Sequence, residues 1–279
     1  MNKKRCDDYM KSLLSSFLLI VTTLFLVACP DLENKTDTTS KMNSEAADES
    51  LKKGNVVRFI GVDISGSFKQ TKYFKDSLKF LSNYMYAHLH GHLGQSKPHS
   101  LFVGSIGGAR ANEPKTFYPI QTFEYKSIDG IEKELFDIFP RKETNKFTDY
   151  SAFFQQIATF MRNKKLVMKP TEIILLSDGI PDTKSGGQYD YRSFGLQALE
   201  NLSRKITVRV LYTSASTGMN WQTKVPRRRV RVWTQDANVM VSWKAKDIFQ
   251  PEKPFAEKTR FFKWIKDNVD FPVRVRRVQ

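Results

Sequence analysis

The sequence predicts an α/β domain with a doubly wound, mostly parallel sheet and helices on both faces. Three observations lead there. The largely apolar run at residues 56–62, which includes Arg58, and the unbroken one at 173–176 read as strands covered on both faces. Segments with apolar residues at helical spacing, such as Phe74, Leu78, Leu81 and Met85, alternate with those runs, and this alternation is the mark of a parallel sheet. Both runs end in short polar turns, Asp63-Ile64-Ser65-Gly66-Ser67 and Ser177-Asp178-Gly179. Open α/β sheets place their ligands at such carboxyl ends.

Taken in order, residues 12–28 are one apolar segment preceded by Lys3, Lys4, Arg5 and Lys11, a basic n-region followed by an h-region. Leu26-Val27-Ala28-Cys29 closes it and resembles the lipobox of bacterial lipoproteins. That resemblance implies a signal peptide at 1–28, lipid on Cys29, and a membrane-anchored protein of the cell envelope on the periplasmic or surface face. An uncleaved anchor is the other reading of the segment. Residues 29–54, rich in Asp, Glu, Asn, Lys, Ser and Thr, form a solvated tether. Residues 55–279 read as one domain. Both cysteines, Cys6 and Cys29, precede it, so it stands on packing without an internal disulfide.

Within the domain, the strand at 56–62 leads into a helix over 71–90. A second strand follows at 100–104, then a short edge strand at 121–125. A helix over 128–139 stops at Pro140, and a loop with Thr144, Asn145, Thr148 and Asp149 leads into a helix carrying Phe153, Ile157 and Phe160. The strand at 172–177 is the next central one. A helix at 191–204, a strand at 207–212, a charge-alternating strand at 229–233 and an amphipathic helix at 258–269 complete the chain.

In a sheet of order 3-2-1-4-5-6 the first and fourth strands flank the switch point. Asp63 and Asp178 then face each other across one crevice, joined by Ser65, Ser67 and the loop residue Thr148. These are hard oxygen donors, suited to Mg²⁺ or Mn²⁺. The Asp-x-Ser-x-Ser turn, the distant Thr and the later Asp resemble the metal-ion-dependent adhesion site of the von Willebrand factor A family. The resemblance implies that Ser65, Ser67 and Thr148 give hydroxyl oxygens to the metal, while Asp63 and Asp178 act mainly through water. It further implies a non-enzymatic protein-binding domain, in which a carboxylate from an acidic protein partner completes the metal's octahedron. Asp149 and Asp182 are the carboxylates that could enter the shell instead. The plain structural alternative is that Asp63 and Ser65 merely cap the next helix.

Several enzyme classes lack their residues. Position 65 is Ser, where a haloacid-dehalogenase-type phosphatase needs a second Asp. Ser65, Ser105 and Ser177 each lack the paired glycines of a nucleophile elbow, and no Walker P-loop is present. A metal-dependent hydrolase acting on a phosphate ester is the remaining enzymatic alternative. The histidines His88, His90, His92 and His99 read as a solvent-exposed helix end in preference to a zinc or nickel site. The net charge of +16 includes the run Arg227, Arg228, Arg229 and Arg231. It reads either as a charged edge strand guarded against aggregation or as a contact for an anionic surface. An envelope lipoprotein is poorly placed to meet nucleic acid.

Overall fold

In β1 (Val57–Asp63) all seven residues are buried, because both faces of the strand carry a core. Ile60 and Val62 belong to one apolar cluster, Val57 and Phe59 to the other. Side chains alternate across a strand, so two cores need two sets of covering helices. The computed structural model describes residues 56–93, 100–108, 113–140, 148–182 and 184–271. The predicted signal peptide, Cys29, the tether and His99 lie outside them.

Six strands make the main sheet: β1, β2 (Leu101–Ile106), β3 (Tyr118–Pro119), β4 (Thr171–Leu176), β5 (Ile206–Thr213) and β6 (Arg231–Asp236). Their order is β3-β2-β1-β4-β5-β6, the 3-2-1-4-5-6 arrangement expected. All pairings are parallel except β2 with β3. Residues 184–185 and 188–189 form a separate two-stranded hairpin.

One face is covered by α2 (Lys72–Leu89), α3 (Ile128–Ile138) and the C-terminal α9 (Thr259–Asn268), which supply Phe74, Leu135 and Ile265 to the first cluster. The short α7 (Ala237–Val241) and α8 (Lys246–Phe249) extend that layer. The other face is covered by α4 (Tyr150–Asn163), α5 (Gln197–Glu200) and α6 (Ala215–Thr223), which contribute Phe153, Leu199 and Trp221. Between β1 and α2 lies the single-turn α1 (Gly66–Lys69). Among the described residues no helix is long and apolar enough to cross a membrane. At Gly61 a Cβ would lie 2.7 Å from both Ile106 and Phe153. The close approach of α4 to β1 therefore requires glycine there.

Two elements differ from expectation. Residues 120–123 form a 3₁₀ turn, and the third strand is only Tyr118–Pro119. Pro119 has no N–H for the ladder, which ends the edge strand at once. The helix expected over 191–204 shrinks to Gln197–Glu200. Asp190 accepts the Arg192 amide at 2.9 Å in an Asx turn, and Gly195 follows. Tyr191, Phe194, Leu196 and Leu202 still reach the core, so the apolar spacing reports burial along an irregular path. By contrast, β6 is half-buried at every position, as its alternating sequence suggests for an edge.

The histidine reading needs correction at one residue. His90 caps α2 and is exposed, and the half-buried His92 stacks on Phe262 at 5.5 Å. His88 is only 2% exposed and belongs to a buried ion cluster with Arg58, Tyr84 and Asp270. Its position on α2 turns it inward, where the charged start of β1 offers a partner.

Candidate metal centre

Asp63 ends β1 and Asp178 stands two residues beyond β4, and these strands are neighbours with Val62 opposite Leu176. Asp63 is fully buried. Its Oδ1 accepts the Ser65 amide at 2.8 Å and its Oδ2 accepts the Ser177 hydroxyl at 2.5 Å. Tyr150 on α4 contacts the same Ser177 hydroxyl at 2.7 Å, and Gly179 donates its amide to it at 2.9 Å. Ser177 and Tyr150 were not anticipated as site residues. The position of Ser177 at the strand end directly before Asp178 was the available signal.

Ser65 stands at the N-cap of α1 yet its side chain makes no capping hydrogen bond. Its hydroxyl instead lies 3.1 Å from that of Ser67. Simple helix capping therefore does not explain this turn. Asp149, in contrast, is a true cap: its Oδ1 accepts the Ala152 amide at 2.9 Å. That bond commits one oxygen of Asp149 to helix α4.

Ser67 hydrogen-bonds the Asp178 carboxylate, and Asp178 Oδ1 also accepts the Ile180 amide at 3.0 Å. Contacts thus join Asp63, Ser65, Ser67 and Asp178. Thr148 is linked less directly, through the Asp182 carboxylate that accepts its amide and acts electrostatically on Asp178. The Thr148 Oγ1 is buried with no partner meeting hydrogen-bond geometry. The Thr148 side chain nevertheless interacts with the Asp182 carboxyl, and that interaction opposes the rise that burial gives Asp182.

Burial pushes the Asp63 carboxyl up to about 7, with the charge of Asp178 adding to the effect and the Ser177 and Ser65 bonds opposing it. Asp178 is raised by burial too; the Ile180 amide and Ser67 oppose this, and Asp182 adds to it. Two acids that face each other without a cation are penalised when both ionise. The described residues contain no group of three or more His, Cys, Asp and Glu placed to hold a metal. The predicted set is of another kind, two carboxylates with three hydroxyls. These are hard oxygens, and among the described residues no cationic side chain is one of the groups that chiefly shift either carboxylate. A divalent cation suits that donor set.

Gly179 completes the turn with φ of +77°. A Cβ there would lie 2.8 Å from Trp221 Nε1, the group that donates to the Gly179 carbonyl at 2.7 Å. Trp221 on α6 thereby anchors the Asp178 turn from the second core.

No family model matches the chain, and no curated protein matches it. Several solved structures are similar at low level. The pilus adhesin SpaC from Lactobacillus rhamnosus GG, in its open conformation, aligns with a TM-score of 0.43 and 12% identity over 76% of this chain and 30% of that one. Proximal thread matrix protein 1 from the mussel byssus gives 0.38 and 13%, over 68% and 46%. The human COPII-coat protein Sec24c gives 0.38 and 8%, over 70% and 32%. The chain spans less than half the length of each of these structures, and likeness at this level carries no argument about what it binds.

Proposed function

We propose that this chain is a divalent-metal-dependent protein-binding domain of the von Willebrand factor A type, carried on a bacterial lipoprotein. Asp63, Ser65, Ser67, Thr148 and Asp178 would hold Mg²⁺ or Mn²⁺, and the partner would be a protein presenting an exposed acidic residue. The observation that carries this reading is the pair of carboxylates at the ends of β1 and β4, both raised by burial and bridged by the Ser65 and Ser67 hydroxyls. Bound there, the cation supplies positive charge that hydroxyl donors leave under-compensated, so a partner carboxylate gains from joining it. The chain's own residues position that charge: Ser177 and the Ser65 amide orient Asp63, and Ser67 orients Asp178. Lipid at Cys29 would hold the domain at the envelope, where the exposed Arg228 and Arg229 would meet an anionic surface, while Arg227 is held by the Trp221, Val225 and Gln222 carbonyls.

Calorimetric titration with Mg²⁺, alongside a phosphate-release assay on p-nitrophenyl phosphate, tests the reading. Saturable metal binding that Asp63→Ala abolishes, with no turnover, is the expected result. Metal-dependent turnover lost in Asp63→Ala would move the chain to the phosphate-ester hydrolases. A protein that takes up no divalent ion would be a structural lipoprotein.

A further inference from the structure

We propose that the α2 face of the domain carries a second, metal-independent docking groove, built for an acidic peptide segment with an apolar anchor. Two adjoining clefts of about 360 and 530 Å³ share Lys79, Trp243 and Phe249. They run along α2, whose residues 72, 75, 79, 83 and 86 line them at helical spacing. Fourteen residues of helix cover roughly 21 Å, the length of six or so extended residues. The track begins at Lys72, the first residue of α2.

Its chemistry is graded along its length. At the N-terminal end of α2, Lys72, Lys75, Lys79 and Lys244 form the rim, and the side chain of each is exposed. The acid among them, Asp76, is already satisfied. It accepts from Tyr212 Oη at 3.0 Å, Trp243 Nε1 at 3.2 Å and Lys244 Nζ at 2.7 Å. Among the described residues Lys72 and Lys75 have no carboxylate within ion-pair distance, and Lys79 reaches Glu132 only at 3.9 Å. The middle of the track is floored by Trp243, Phe249 and Phe255. Phe249 is fixed by the buried Lys258, whose ammonium sits 4.2 Å from its ring and donates to its carbonyl at 3.1 Å. The second cleft also presents Asp129 and Glu132, together with the exposed Lys253.

A rim of lysines around an aromatic floor suits an acidic stretch followed by a large apolar side chain, the anchor-in-pocket pattern of peptide recognition. Asp129 and Glu132 would repel a uniform polyanion such as nucleic acid. The floor is concave, so a flat anionic bilayer would reach only the rim. A segment that is acidic at one end, apolar in the middle and basic at the other matches all three zones. The groove contains none of the five metal-centre residues, so its occupancy does not depend on Mg²⁺.

The test is fluorescence anisotropy with the fluorescein-labelled peptide Glu-Asp-Glu-Asp-Phe-Leu-Gly-Lys and the full chain, in EDTA. Saturable binding is expected, weakened roughly tenfold or more by the double variant Lys75→Glu/Lys79→Glu, since each reversed charge removes attraction and adds repulsion. The double variant Lys164→Glu/Lys224→Glu, on the opposite face of the sheet, changes net charge equally and should bind as the parent does. Asp63→Ala should also bind the peptide, which separates this groove from the metal reading. Absence of saturable binding overturns the proposal, as does equal weakening by both double variants. Preferential binding to phosphatidylglycerol vesicles over the peptide would overturn it as well.

Discussion

Two buried charged sites lie at opposite ends of β1, five residues and roughly 16 Å apart, and they are built on opposite principles. At the start of the strand, Arg58 Nε donates to Glu172 at 3.0 Å, and its Nη2 lies 3.7 Å from Asp270. Tyr84 donates to Asp270 at 2.8 Å. His88 Nε2 is 2.7 Å from Arg58 Nη1 and 3.2 Å from Asp270 Oδ2. Burial and Arg58 lower the His88 pKa. Burial would raise Asp270, yet Arg58, His88 and Tyr84 outweigh it and hold the carboxyl well below its usual range. At the other end Asp63 has hydroxyl and amide donors but, among the described residues, no cation, and it is raised to about 7. The neutralised cluster belongs to stability. Under the proposed reading, the acid with no counter-charge among the described residues belongs to binding.

The contrast breaks most visibly under substitution. Asp270→Ala leaves Arg58 buried without its main counter-charge, and urea unfolding should show a loss of roughly 3–5 kcal/mol. Asp63→Asn should do the reverse. It removes the like-charge conflict with Asp178, so the metal-free protein gains on the order of 1–3 kcal/mol near pH 8 while calorimetry shows Mg²⁺ binding lost. Equal destabilisation by both substitutions would sink the distinction.

Titration separates the same two sites. The folded Asp63 binds its proton up to about pH 7, against an ordinary value of 3.8. Its contribution to stability is therefore complete below about pH 4 and is lost as pH rises through 7. Asp270 has the opposite sign: its contribution is present above its ordinary value and is lost as acid protonates the folded carboxyl. Thermal melts should show a Mg²⁺-induced rise in Tm that grows between pH 4 and 7 as Asp63 ionises. At Mg²⁺ one hundredfold above its Kd the gain is about 2.7 kcal/mol. A Tm shift independent of pH would separate Asp63 from the metal.

The smallest expected effect on stability is at Ser67. It is exposed, so Ser67→Ala should change unfolding by within roughly 0.5 kcal/mol. Its Mg²⁺ affinity should nevertheless fall by roughly tenfold. A binding residue that costs function and spares stability is the counterpart of Asp270.

Much of this arrangement was legible in the residues. The apolar run of β1, buried on both faces apart from the charge of Arg58, reads as a central strand, and the run of β4 likewise; their polar ends mark where open α/β sheets place ligands. Asp63, Ser65, Ser67 and Asp178 follow from those ends, because a strand terminus fixes where the next residues lie. The 191–204 segment misled because apolar spacing records burial, and an irregular chain interrupted by an Asx turn and Gly195 can be buried with the same spacing. His88 misled because its local context, a helix end rich in His and Gly, is solvent-like. What faces it comes from Arg58 and Asp270, 30 and 182 residues away along the chain.

By itself the sequence determined which segments become strands and helices, their order in the sheet, and the short-range turns that carry the acids and hydroxyls, since each depends on side-chain periodicity and on neighbours close in the chain. Only the tertiary structure decided which carboxylate meets an arginine and which meets another carboxylate. Both partners of Asp270 on the sheet and α2 arrive from distant segments, and the same is true of Ser177 and Tyr150 around Asp63. The charge environment of a buried acid is set by that assembly, because inside a low-dielectric core a neighbour's sign outweighs anything the local sequence supplies.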